Sequence, residues 1–166
     1  SFNAGANVLM NFQIQEIFAS ELFLEGQFED LSPSVLFGLL CGMVVELPRG
    51  VVVHGARKHR GFAKRIQRVA NSEPVREAFY ITKQPPIWEP AMIPVGKAWA
   101  EGKTLAEVLL MISFDTDISG TLVGAFRRAK ELATQLRNAW RGYPEKTEMM
   151  TQLLRSVGRD EVEVVD

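Results

Sequence analysis

One cysteine in 166 residues leaves no disulfide framework to be built. Cys41 stands among apolar residues, where a thiol fills core space rather than reacts, and its isolation suits a reducing cytoplasm. Net charge is also small: 19 basic against 20 acidic residues give −1, which excludes a uniformly basic nucleic-acid binder and leaves any such contact to a local patch. No apolar run reaches the length of about 20 residues that a membrane helix needs, and no signal peptide is evident. No membrane partner is expected. The two histidines, His54 and His59, have neither cysteine nor paired carboxylates near them, so they do not read as a metal site. No Ser-His-Asp or Cys-His spacing stands out either. An initiator methionine is missing as well. The opening SFNAGANVLM therefore reads as part of a longer protein, with residues 1–4 as a leftover extension.

A nucleotide site fails on one residue. Gly102, Lys103 and Thr104 match the end of a phosphate-binding P-loop, whose pattern G-x-x-x-x-G-K-[ST] wraps phosphates in backbone N–H groups. The first glycine would have to occupy position 97, which is Lys97, and Gly96 is one place too early. A plainer reading is a corner between helices. Gly102 closes one helix in a left-handed conformation. Thr104 and Glu107 then form a capping box ahead of Leu105, Val108, Leu109 and Ile112.

What is present is helical periodicity in a composition, 46% hydrophobic and 23% charged, ordinary for a single globular domain over residues 1–166. Residues 7–24 repeat Leu9, Phe12, Ile14, Ile17, Phe18 and Leu22 at helical spacing. Ser32 and Pro33 make an N-cap and first turn for an apolar helix over 33–47. Residues 44–53, with valines on both sides of Pro-Arg-Gly, could be a hairpin or a loop, and the loop is preferred. In 57–68, Phe62, Ile66 and Val69 form a stripe among Arg57, Lys58, Arg60, Lys64, Arg65 and Arg68. The basic side, Lys64 and Arg65 above all, fits a solvated face and a phosphate contact equally well. Pro85, Pro86 and Pro90 break the next stretch. Helices follow over 89–101, 118–141 and 145–158, with an acidic tail at the end.

The helix over 118–141 is the most informative. At about 100° per residue, Ile118, Leu122, Ala125, Phe126, Ala129, Leu132, Leu136 and Trp140 share one face. Gly120, Gly124, Arg127, Glu131, Thr134, Asn138 and Arg141 share the other, flanked by Arg128 and Gln135. A mid-helix glycine costs about 1 kcal/mol against alanine, so Gly124 suggests close approach of another chain or backbone. Asp115 and Asp117, just ahead of this helix, read as caps.

These residues carry a resemblance to a known family. The stretches GQFEDLSPSVLFGLLCGMVVE, WAEGKTLAEVLLMISFDTDISGTLVGAFRRAKELATQL and LLRSVGRDEV resemble successive landmarks of the DSHCT domain. That is the C-terminal helical domain of superkiller-like and exosome-associated DExH-box RNA helicases. Trp88 and Pro90 of the WEP segment fit the same order, and the resemblance spans about residues 8–162. It implies an all-α bundle with a long central ratchet-type helix, here 118–141, lying along single-stranded RNA as it leaves two motor domains of the same polypeptide. ATP and magnesium would then belong to those motor domains, and this chain would carry neither cofactor, metal nor catalytic residue. RNA-degradation machinery is the implied partner class, in the cytoplasm.

On the ratchet helix, Arg127, Arg128, Glu131 and Gln135 would offer charge and hydrogen bonds to a passing backbone, while Thr121 and Gly124 leave room for it. Family members often carry a basic residue where this chain has Gly124, so contact there is expected to be weaker or taken over by Arg127 and Arg128. Two other classes fit the sequence: a helix-turn-helix DNA reader pairing 104–112 with 118–141, and a helical protein–protein adaptor.

Overall fold

The computed structural model describes residues 4–163, with side chains from residue 13 onward. Leu9 and Phe12 therefore lie outside the described side chains. Eight α-helices among the described residues enclose one contiguous hydrophobic core: α1 (Ala4–Leu24), α2 (Pro33–Gly42), α3 (Arg60–Ala70), α4 (Glu73–Thr82), α5 (Met92–Ala100), α6 (Leu105–Leu109), α7 (Ser119–Ala139) and α8 (Pro144–Val157). The expected all-α bundle is what forms. No described helix is long and apolar enough to cross a membrane.

Core faces follow the periodicity closely. On α7, Leu122, Ala125, Phe126, Ala129, Leu132, Ala133 and Leu136 are buried, so the helix, about 30 Å long, lies with one whole side against α8, α2 and α1. On α1, Ile14, Phe18 and Leu22 are buried, but Ile17 is 38% exposed and does not belong to the core stripe. The cap signals also act as written. Val35 N–H donates to Ser32 Oγ at 3.4 Å, Thr104 and Glu107 exchange both bonds of a capping box, and Gly102 takes φ +100°.

Elsewhere the structure corrects the expectation. The apolar helix after Ser32 stops at Gly42, not at 47, because the chain must turn there to receive Glu89, whose N–H donates to Gly42 O at 2.7 Å. Residues 73–82 form α4, a helix the proline-rich stretch concealed. Val52 and Val53 form neither a local hairpin nor a plain loop. They make β1 (Val52–Val53) and pair antiparallel with β2 (Ile112–Ser113), Val52 opposite Ser113 and Val53 opposite Ile112. Ile112 is thereby taken out of α6, which ends at Leu109. A helix-turn-helix reader loses the first helix of its pair, since five helical residues and a strand stand where nine helical residues were expected.

The tightest junction is between α2 and α5. A Cβ on Gly38 would fall 2.2 Å from Ile93 O, and one on Gly96 would fall 2.7 Å from Gly38 Cα. Only hydrogen at both positions lets the two backbones touch. Cys41 lies fully buried at this junction, and burial pushes its thiol pKa well up, as suits a core filler.

Candidate nucleic-acid interface

Beside the first half of α7 runs a groove of about 530 Å³. Gly120, Thr121, Gly124 and Arg128 form one wall, and Val44 to Glu46 form the other, with Gln15 and Ile87 at its floor. α7 is aimed into place by Asp117, which accepts from Ser119 N–H at 2.9 Å and from Ser119 Oγ at 3.0 Å. These bonds hold the Asp117 carboxyl below its usual range. Asp115 shows only a contact with Thr116, so it is Asp117 that serves the helix start.

Gly124 has a different reason from the one its sequence suggests. No second backbone approaches it. A Cβ there would meet the Arg128 guanidinium, at 3.4 Å from Nη1. The glycine lets the arginine one turn later lie flat across the helix, where Arg128 Nε donates to Val44 O at 3.1 Å. Its two terminal nitrogens donate to no protein acceptor among the described residues, so the planar fork stays available at the rim. Arg128 is thus half-buried and clamps the opposite wall of the groove, rather than standing free on the surface.

Of the other residues the sequence pointed to, Thr121 is half-buried in the wall, while Arg127, Glu131 and Gln135 are exposed. All lie within about 60° of Gly124 around the helix, at about 100° per residue. Arg127 leans out of the groove, its Nη2 donating to Glu161 O at 2.7 Å and tying α7 to the C-terminal segment. Lys64 and Arg65 are exposed on α3, with Arg65 5.4 Å from the Phe62 ring centre, and neither lines the groove. Charge in the groove is nearly balanced: Arg128 faces Glu46. Just beyond, the Glu89 carboxyl is raised by burial and then by the charge of Glu46.

Gln15 is the residue the sequence reading passed over. It is 1% exposed and sits at the groove floor. Its Nε2 donates to Met43 O and, at 2.9 Å, to Ile87 O, and its Oε1 accepts from Ile87 N–H at 3.0 Å. One amide thus ties α1 to both strands of chain that shape the floor. A glutamine within an apolar repeat was the available signal. Gln15→Leu, similar in bulk, should lower stability by about 2 kcal/mol, because buried backbone groups lose their partners. The urea midpoint with an unchanged slope measures this.

A search among curated proteins finds no match. Among known families, residues 7–164 match the DSHCT (NUC185) domain. That match takes in most of α1 and all of α2 to α8, with the groove and the long helix inside it. The chain belongs to the DSHCT domain family, the domain found in DExH-box RNA helicases.

Proposed function

We propose that this chain is the C-terminal helical domain of an ATP-dependent DExH-box RNA helicase, and that single-stranded RNA leaving the motor domains runs along the α7 groove. The observation that supports the reading is the open side of α7. A helix whose other side is wholly buried presents Gly120, Thr121 and Gly124, small residues that admit a backbone, next to an arginine whose fork is free at the rim. Glu131 and Gln135 continue that face toward the C-terminal end of the helix, where they offer acceptors to ribose hydroxyls and a donor to phosphate. Such contacts position a strand without reading bases, as a motor that moves over any sequence requires. ATP and magnesium act on the motor domains of the same polypeptide, with RNA-degradation machinery downstream.

Anisotropy titration of a labelled oligouridylate with this chain tests the reading. Affinity should be indifferent to base sequence and should fall with salt, the logarithmic slope being about −0.7 per phosphate neutralised. Thr121→Glu puts a negative charge on the half-exposed wall and should weaken binding about tenfold at low salt while helicity stays intact. Equal affinity of the variant and the parent chain would remove the strand from this groove and leave α7 the role of a protein-docking helix.

A further inference from the structure

Lys103, from the Gly-Lys-Thr triplet, takes no part in the α7 groove. It stands on a second cleft, again of about 530 Å³, which shares no lining residue with the first. Three separate stretches of chain bring cationic groups to it. The segment after β1 supplies His54, Lys58 and His59, α5 supplies Lys97, and the corner after α5 supplies Lys103. Two acids face the same cleft, and each is engaged. Glu101 pairs with Lys97 Nζ at 2.9 Å. Glu107 accepts from Thr104 N–H at 3.0 Å, and the bonds of that capping box hold its carboxyl below the usual range. Lys58 and Lys103 have no ion-pair partner among the described residues. Three lysines against two glutamates leave one excess positive charge with neutral imidazoles and three with both protonated.

The walls are held in place before any ligand arrives. His54 Nε2 lies 3.1 Å from Ser113 Oγ across the two-stranded ladder. Arg159 Nη2 donates to Lys103 O at 3.0 Å, fixing the backbone of the corner. His59 is pushed below the ordinary histidine range first by burial, then by Lys97 and Lys58. Positive charge is already crowded there, so a nearby anion would let the imidazole take up a proton.

We propose that this cleft is a phosphate-binding site, gripped by Lys58 and Lys103 with Lys97 and His59 behind them. The grip is unlike a P-loop. Side chains supply it in place of a wrap of backbone N–H groups, so the site takes a phosphate group as a point charge, with marked salt sensitivity. It requires no strand at α7 and stands apart from that reading. The phosphate can come from a nucleic-acid backbone or be free in solution.

The experiment follows the His59 ring signals by NMR across pH in the 166-residue chain, first with inorganic pyrophosphate and then with an oligouridylate. Pyrophosphate should raise the pH at which His59 titrates, by proton linkage. Lys58→Ala/Lys103→Ala should weaken pyrophosphate about tenfold, whereas Arg76→Ala/Arg155→Ala, which removes equal charge from exposed positions on α4 and α8, should leave it within about twofold. An oligouridylate that shifts His59 and is displaced by pyrophosphate assigns the site to a phosphodiester backbone. A response to pyrophosphate alone assigns it to free phosphate. A silent His59 at millimolar pyrophosphate, or an equal loss in the control pair, overturns the proposal.

Discussion

Phe126→Ala should cost about 3–5 kcal/mol, the full loss expected for removing a buried aromatic ring. Phe126 is fully buried and stacks on Trp99, ring centres 5.0 Å apart and planes at 16°, with Phe37 at 6.2 Å. Neighbours usually relax into such a void, but Trp99 is not free to move. Its Nε1–H donates to Val157 O at 3.0 Å, and the Arg159 guanidinium lies 3.9 Å from its ring centre. Arg159 is itself held by the carbonyls of Trp99 and Lys103. The indole is pinned between α8 and the C-terminal turn, so most of the cavity should persist. Against a typical stability of about 5–15 kcal/mol, the loss is about a third to a half for a chain in the middle of that range. Urea unfolding of the purified variant measures it. A loss below about 1 kcal/mol would show that the site collapses and that the Trp99–Phe126 stack does not hold α7 to α5.

Of that stack only the α7 side was legible beforehand. The buried face of α7 could be read from Leu122 to Leu136 because a 3.6-residue period survives any tertiary arrangement. The cap residues Ser32, Thr104 and Glu107 and the left-handed Gly102 were legible for the same reason: each acts within four residues of itself. Partners distant in sequence were hidden. Nothing around Val52 says that Ser113 will lie opposite, and the ladder they form ends α6 early and separates it from α7. α4 is obscured in the sequence by Pro85, Pro86 and Pro90, although the helix ends at Thr82, before the first of them.

The candidate site divides in the same way. Thr121, Gly124 and Arg128 could be placed on one side of α7 by counting residues, and the structure does bring them together. What they face could not be counted. The opposite wall at Val44 to Glu46 exists only because α2 stops at Gly42 and the segment around Glu89 joins it there. Gly124 is the instructive error. Its cost to the helix suggests room for an outside backbone, whereas the room is filled from within, by an arginine that reaches across to Val44 O. Arg128 consequently has two roles that a simple alanine variant would remove together. For that reason Thr121 carries the test of the groove.

Gly38→Ala sets two known effects against each other, and the structure decides the sign. Alanine is favoured over glycine in a helix interior by about 1 kcal/mol. At Gly38 the new methyl would lie 2.2 Å from Ile93 O and 3.0 Å from Ile93 Cα, all backbone of α5. No rotamer change relieves a contact with backbone, so α5 must move away from α2. That opens the most extensive helix pair among the described residues, with Gly96 and Cys41 at its centre. Overpacking a close junction costs about 1–3 kcal/mol, and a backbone clash belongs at the upper end, so the net result should be a loss of about 2 kcal/mol or more even after the helix-propensity gain. Gly61→Ala is the matched control. Gly61 is also helical, in α3, but has nothing within 4 Å of a Cβ, so only the gain remains, about 0.5–1 kcal/mol of added stability. Parallel urea titrations should therefore move the two midpoints in opposite directions. If Gly38→Ala stabilises the chain as Gly61→Ala does, then α2 and α5 do not meet backbone to backbone in solution.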